Sequence, residues 1–332
     1  MISKLYVFEG LSFDPYYNLA VEKYLLETVT PEACILYLWQ NENTVVIGRN
    51  QNPWAECSIA HIEEDSVKLA RRLSGGGAVF HDLGNVNFSF MTKAVEGDEL
   101  SFARFTAPVV DYLRSLGVNA GLTGRNDIEI EGKKISGNAQ TKVGKRFLHH
   151  GTLLFEVGMS DLTGALQVHP LKIKSKGIAS VRARVSNISE HLPEPMTVEA
   201  FMQGLVDYVK RTSEEFTVCE FNEEDIEEAR KLQAEKYSRW DWNFGENPSY
   251  AFIKAAKFPA GLIEVQMNIS QEVIHNVRIT GDFFAFGEIS ELEQALCGVP
   301  HRVDAIETAI RDLPLKKYIG GITAAQLIET MF

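Results

Sequence analysis

Cysteine is scarce in this chain: there are four in 332 residues, Cys34, Cys57, Cys219 and Cys297, and no two form a CxxC pair. Thiols so few and so scattered predict reduced side chains in a reducing compartment. Long apolar runs are missing as well. No stretch approaches the ~20 residues that cross a bilayer. The opening residues reach Glu9 and Asp14 without the apolar segment of a secretory signal. Together these absences lead us to expect a soluble, cytoplasmic protein with no membrane partner. Positive charge is in deficit, with 33 Lys and Arg against 45 Asp and Glu and a net charge of −12. Non-specific binding of nucleic acid by the whole surface is therefore not expected, and an anionic ligand needs a local basic cluster. The GxxxxGK[ST] phosphate loop and the GxGxxG dinucleotide fingerprint are absent, as are internal repeats and low-complexity segments.

The length predicts roughly two domains, and an apolar fraction of 45% is that of an ordinary globular chain. Lys4 to Glu9 alternates as a strand does. Asp14-Pro15 then opens a helix whose Tyr17, Ala20, Val21, Tyr24 and Leu25 share one face. Short β-rich runs follow at 35–39, 44–47, 67–73, 78–80 and 86–91, with a helix over 101–116 closed by Gly117. A hairpin is expected around Glu131-Gly132-Lys133, then a strand from Phe147, a loop over 171–187, and helices near 197–211 and 223–236. Residues 238–248 end a helix and finish in turn formers, so we place a domain boundary there. Beyond it, strands over 261–269 and 273–279 and three helices predict a small α+β unit. Strands this short and hairpin-linked predict an α+β fold whose main sheet is mixed and largely antiparallel, flanked by helices. The predicted division is 1–245 and 246–332.

Four segments carry chemistry. In Arg71-Arg72-Leu73-Ser74-Gly75-Gly76-Gly77-Ala78-Val79-Phe80-His81-Asp82, three bare residues let backbone N–H groups converge on an anion, with Arg72 and Ser74 beside them. The bland alternative is a glycine turn with surface arginines. In Asn126-Asp127 and Lys133-Lys134, an acid and a base on one hairpin can face one pocket. Asp127 could then hold a metal that chelates phosphates, and Lys134 could neutralise charge on a reacting centre. Two lysines near a turn are otherwise solvated. His149 and His150 are adjacent on a strand, so at most one of them faces a given pocket, and they make a poor metal pair. Finally, Lys172, Lys174, Lys176, Arg182 and Arg184 lie in a stretch without acids between Asp161 and Glu190. On charge grounds it is the expected anion-binding surface, or else a basic loop with no ligand.

Taken together the segments resemble the lipoate–protein ligase family. The strings that carry the resemblance include Arg71 to Asn85, Gly124-Arg125-Asn126-Asp127, Lys134-Ile135-Ser136-Gly137-Asn138-Ala139, Phe147 to Leu153, Lys176-Gly177-Ile178 and Trp240 to Gly245. They span nearly the whole chain in order. The resemblance implies a large catalytic domain of the biotin/lipoate ligase type and a small C-terminal accessory domain. It implies activation of lipoate, or octanoate, by ATP and Mg2+ to an acyl-adenylate. The acyl group then passes to a lysine of an acceptor: a lipoyl domain of a 2-oxoacid dehydrogenase E2 subunit or the glycine-cleavage H protein. By resemblance, Lys134 and Arg72 are catalytic, and Asp127 is the Mg-associated acid. Ser74, Gly75, Gly76, Gly77, Ala78, Val79, Phe80, Asn126, His150, Thr152, Lys176, Gly177 and Arg182 bind substrate or adenylate. His81 is expected as pocket lining near the adenine.

Two other activities share the fold. Octanoyl and lipoyl transferases pass the acyl group through a cysteine thioester, which needs an activated thiolate in the pocket. None of the four cysteines adjoins a pocket segment. Biotin ligases use a GRGRxGRxW-type loop where this chain has Arg71-Arg72-Leu73-Ser74-Gly75-Gly76-Gly77. A non-catalytic binder of lipoylated proteins is the third rival, and the pairing of Lys134 with Asp127 speaks against it.

Overall fold

Local signals start the elements where they are expected. The Asp14 carboxylate accepts from the Tyr16 N–H, and Asn18 N–H closes the first turn on Asp14 O. Thr197 caps the helix Val198–Thr212, and Asn222 and Thr323 form reciprocal capping boxes. A computed structural model describes residues 4–28, 33–53, 57, 62, 66–93, 102–124, 126–160, 166, 184–245, 250 and 252–332.

The strands, in chain order, are β1 (Lys4–Glu9), β2 (Cys34–Trp39), β3 (Thr44–Ile47), β4 (Lys68–Arg71), β5 (Val79–His81), β6 (Asn85–Lys93) and β7 (Ala120–Thr123). They continue with β8 (Asp127–Ile130), β9 (Lys133–Val143), β10 (Arg146–Leu154), β11 (Glu215–Val218), β12 (Phe252–Phe258), β13 (Gly261–Ser270) and β14 (Val273–Gly281). Eight of them form one sheet in the order β11-β1-β2-β6-β10-β9-β8-β7. Only β11–β1 and β1–β2 are parallel, so the sheet is mixed and mainly antiparallel.

Both faces of this sheet are covered, which explains why β2 reads as a continuous apolar run. Leu36 and Leu38 pack with Phe105, Val109, Phe201 and Leu205 from the helices Phe102–Ser115 and Val198–Thr212. Ile35, Tyr37 and Trp39 face the other way, onto the helix Pro15–Thr28. A small sheet, β4-β3-β5, closes over that second face and brings the glycine segment with it.

The C-terminal region has its own antiparallel sheet, β12-β13-β14, under helices including Ile289–Leu296, Val303–Ile310 and Ala324–Glu329, and its own apolar cluster. It touches the larger part at one place that matters. Phe284 packs on Phe102 (ring centroids 5.6 Å apart), Gly76 N–H points at Phe283 O (3.4 Å), and Gly281 N–H donates to Asn50 O (2.9 Å).

The predicted boundary segment is not a free linker over its first half. Trp240–Asn243 is a helical turn held by Arg71. The Arg71 guanidinium donates to Trp242 O (2.8 Å) and Asn243 O (2.9 Å), and the Asn243 side chain accepts from Arg71 N–H (2.9 Å). Arg71 is therefore an internal staple and not the surface arginine of a glycine turn.

Candidate active site

The site is laid out by strand register. On the face beneath the glycine segment, Trp39, Asn87 and Thr152 are neighbours across β2, β6 and β10. Tyr37, Ser89, His150 and Ala139 form the next row along the strands. Gly137 pairs with Asp127 on β8. A cavity runs crosswise over these rows. Leu19, Trp39, His81 and Asn87 line one end, and Asn126, Lys134 and Gly137 line the other. From β2 to β9 is three strand spacings, about 14 Å. Arg72, Gly76, Gly77 and His150 lie between the two ends. A second, larger hollow shares Ala78, Val79, Lys134 and Thr152 with the first and adds Phe80, Asp127, Leu166 and Arg184.

Lys134 is positioned by a bulge and by an absence. The β8–β9 register shifts between Ile128 and Glu129, next to the Glu129–Lys134 pair. The side chain then folds back over Gly137, where a Cβ would sit 2.8 Å from Nζ, and reaches the Asp127 carboxylate at 2.9 Å. Asn126 fixes the preceding turn: its side chain donates to Asn138 O (2.6 Å), and its own carbonyl accepts from Asn138 N–H (3.0 Å).

The three glycines have three different reasons to be bare. A Cβ at Gly75 would lie 2.1 Å from Phe283 O. Gly76 has φ +92°, which side chains disfavour. A Cβ at Gly77 would meet nothing within 4 Å, so that position faces open cavity. Beneath them Arg72 is almost wholly buried. Its guanidinium donates to Ser74 Oγ (3.1 Å), Val46 O (3.1 Å), Gly75 O (2.7 Å) and Gly77 O (2.8 Å). Burial lowers its pKa to about 10, which leaves it charged at neutral pH.

A continuous chain of side chains connects this loop to the far end of the cavity. Ser74 Oγ is 2.6 Å from His150 Nε2, and His150 Nδ1 is 2.8 Å from Glu22 Oε1. Ser89 Oγ donates to the same Glu22 oxygen (2.6 Å), and Trp39 Nε1–H donates to Ser89 Oγ (3.1 Å). Glu22 Oε1 accepts from His150 Nδ1–H, which turns Nε2 of the ring toward Ser74. Sequence reasoning gives Glu22 no role of its own, because the apolar face is what the first helix shows. Its position three and four residues from Leu19 and Leu26 was the available signal.

Of the expected site residues, the first cavity gathers Lys134, Arg72, Gly76, Gly77, Ala78, Val79, His81, Asn126, His150 and Thr152. Phe80 and Asp127 line the second. Ser74 and Gly75 lie behind the wall, Ser74 in the side-chain chain and Gly75 against Phe283. His81 lines the cavity beside Trp39, ring centroids 6.2 Å apart, at the end away from Lys134. His149 faces the opposite side of the sheet among Phe88, Phe102 and Phe105, where burial holds it well below the usual histidine range. Lys176, Gly177 and Arg182 lie outside the described residues. Among the described residues no cysteine lines either hollow, and burial raises the Cys34 thiol to about 12.

The family model described as "Lipoyl protein ligase A/B catalytic domain" matches residues 14–210. The chain belongs to that family. A second model of the lipoate–protein ligases, the bacterial lipoate protein ligase C-terminus, matches residues 247–331. Lipoate-protein ligase LplJ of Bacillus subtilis is 40% identical over 96% of this chain and 97% of its own length. Lipoate–protein ligase 1 of Staphylococcus aureus is 41% identical over the same shares. Among solved lipoate-protein ligase folds, P. falciparum LipL1 in complex with lipoate superposes with a TM-score of 0.80 at 27% identity, covering 98% of both chains. Lipoate-protein ligase A bound with ATP matches 74% of this chain and 99% of its own, with a TM-score of 0.64 at 27% identity. A bipartite ligase from Thermoplasma acidophilum, described with its E2 lipoyl domain, matches 76% of this chain and 100% of its own, with a TM-score of 0.65 at 28% identity.

Proposed function

We propose that this ligase-family chain joins lipoate to the lysine of a lipoyl domain in two steps, through a lipoyl-adenylate. The observation that carries the reading is the crosswise cavity. It has Lys134 at one end, a recess lined by Leu19, Trp39, His81 and Asn87 at the other, the glycine bend between them, and a second hollow adjoining the Lys134 end. An acyl chain lies along the first hollow with its carboxylate toward Lys134, and the nucleotide occupies the second. The carboxylate oxygen attacks the α-phosphorus of ATP and pyrophosphate leaves. The acceptor amine then attacks the acyl carbon, AMP leaves, and an amide forms.

Each residue has a part in this reading. Lys134 places positive charge where the α-phosphoryl and acyl oxygens gather negative charge. Arg72 acts through the loop it anchors, and Gly77 leaves room for the adenylate. Octanoate is an alternative acid of the same reach, and the glycine-cleavage H protein an alternative acceptor. The catalytic unit is taken as 1–245 and the accessory unit as 246–332, a division supported by their separate apolar clusters.

Asp127 suits a magnesium ion carried in with the nucleotide. Among the described residues no three His, Cys, Asp or Glu side chains converge as a metal cage. Mg2+ commonly uses one or two carboxylates plus substrate phosphates. When bound, it would neutralise phosphate charge.

The thioester route has no thiol at hand among the described residues, and burial raises Cys34 and Cys219 further from reactivity. The test is incubation with lipoate, MgATP and candidate acceptor domains, read by intact mass. An acceptor gaining one lipoyl group only when ATP is present supports the reading. Transfer from an acyl carrier without ATP overturns it.

A further inference from the structure

A buried polar network lies on the side of the main sheet that faces away from the cavity. Register sets His149 beside Gln140 and Gly151 beside Asn138, and these four positions share that face. The surroundings are aromatic: the rings of Phe88, Phe102 and Phe105 lie against His149. His149 is nonetheless bonded at both nitrogens. Nδ1 is 2.9 Å from Gln140 Nε2, and Nε2 is 3.2 Å from Asn138 Oδ1. The direction of these bonds is set from outside the ring. Asn138 Nδ2 donates to the Asn126 carbonyl at 3.0 Å, and a carbonyl only accepts, so Asn138 turns its oxygen toward the histidine. Burial keeps the ring neutral. Nε2 therefore carries the hydrogen and donates to Asn138, while Nδ1 accepts from Gln140. Asn138 in turn ties the turn that delivers Asp127. Its side chain and its backbone N–H both donate to Asn126 O at 3.0 Å, and Asn126 Nδ2 donates back to Asn138 O at 2.6 Å. Asp127 comes next in the chain and holds Lys134 Nζ at 2.9 Å. Gly151 makes room for the amide: a Cβ there would lie 2.3 Å from Asn138 Oδ1.

We propose that His149 is a positioning residue for adenylation: from the far face of the sheet it fixes the Asn138 amide, and through Asn126 it sets Asp127 and Lys134. The inference rests on the reading of the Lys134 end as the reacting end. His149 itself touches no substrate. Packing alone does not ask for an imidazole here, since a fourth phenyl ring would suit the three already present. What the imidazole adds is one aimed donor. Without it Asn138 Oδ1 becomes a buried acceptor with no partner, and the amide gains by turning away from Asn126 to find one. The turn then loses one of its three ties, and the Asp127 carboxylate drifts with the amine it holds. Misplacement of about 1 Å at a reacting centre slows chemistry by as much as about 10²-fold, so a partial loosening predicts about tenfold.

The experiment uses the full chain and three variants, with kcat read from pyrophosphate release at saturating lipoate and MgATP. His149→Phe keeps the ring and deletes the donor. His149→Gln carries its amide nitrogen as many bonds from Cβ as the ring Nε2, so it still reaches Asn138. His149→Asn carries its nitrogen where Nδ1 was and cannot. The phenylalanine and asparagine variants should each lose about tenfold in kcat, while glutamine stays within about threefold of the unaltered protein. A purely structural role would make activity follow the urea midpoint and would not separate glutamine from asparagine. A folded phenylalanine variant within about twofold of the unaltered protein overturns the proposal, as does equal loss in glutamine and asparagine. If the variants fail to fold, nitrogen NMR of the histidine-labelled unaltered chain decides at neutral pH. A neutral ring with its hydrogen on Nε2 supports the proposal, and an Nδ1–H or charged ring overturns it. Absence of pyrophosphate release from the unaltered protein would instead sink the ligase reading, and so the two failures are distinguishable.

Discussion

Replacing Arg72 by lysine separates two things that a buried cation can do. As a charge, it attracts an anion across the cavity. As a fork, it holds the carbonyls of Gly75 and Gly77 at 2.7 and 2.8 Å while also reaching Val46 and Ser74. A lysine ammonium keeps the charge, but its three donors radiate from one atom and cannot span the same carbonyls. Hydrogen bonds from a charged donor contribute about 1.5–3 kcal/mol each, so losing the two on the bend removes roughly 3–6 kcal/mol of anchoring. If relaxation and water restore about half or more, the ordered bend still loses roughly 2 kcal/mol, a factor of about 30 in population. The assay is KM for lipoate in pyrophosphate release. Arg72→Lys and Arg72→Ala should both raise it by about 30-fold. A lysine variant within about twofold of the unaltered protein, beside an inactive alanine variant, would show that charge suffices and that the anchoring argument is wrong.

Other outcomes follow from the same geometry. Lys134→Ala should cut adenylate formation by about 10²–10³. Its half-exposed pair with Asp127 should cost no more than about 1 kcal/mol in urea unfolding. Gly75→Ala should lower stability by about 1–3 kcal/mol or expose the C-terminal region to limited proteolysis, because the new Cβ meets the Phe283 carbonyl. Gly77→Ala should leave the unfolding midpoint in place and raise KM for the acid, since its Cβ enters open cavity. His81 is neutral when folded and has a pKa near 6.5 when unfolded. Below pH 6.5 the unfolded chain therefore binds the extra proton, and stability falls with pH until about 3. Between pH 6.5 and 5 this amounts to about 2 kcal/mol, and His81→Gln should lack that part of the decline. An unchanged pH dependence in that variant would contradict the burial assignment.

Much of the architecture could be read from the residues. The central strands β2, β6 and β10 are long or strongly apolar because both faces are packed. The helices at 198 and 223 announce themselves by Thr197 and Asn222. Three strands escaped notice: β7, β11 and β12. Each lies at the edge of its sheet, where one side is solvated and the pattern is weak. The glycine segment, Asp127 and Lys134 were legible as chemistry, but the division of labour within Gly75-Gly76-Gly77 was not. It depends on Phe283, over two hundred residues away. The sequence singles out Arg72 and gives Arg71 no role. In the fold they are consecutive residues of opposite reach, one pinning Trp242 and the other the glycine bend. The Trp39–Ser89 link leaves no periodic mark, and Glu22 stands out only by its spacing from Leu19 and Leu26. The resemblance puts His81 near the adenine; in the fold it sits beside Asn41 and Trp39, at the end of the first cavity away from Lys134.

The glycine at 137 is an operative vacancy. Its N–H faces Thr152 Oγ1 (3.3 Å), and the amine of Lys134 occupies the space where its side chain would be. Position 137 should therefore behave like part of the reaction machinery in a saturation screen. Even a single methyl group there would push the amine off its carboxylate, while the folded chain itself survived.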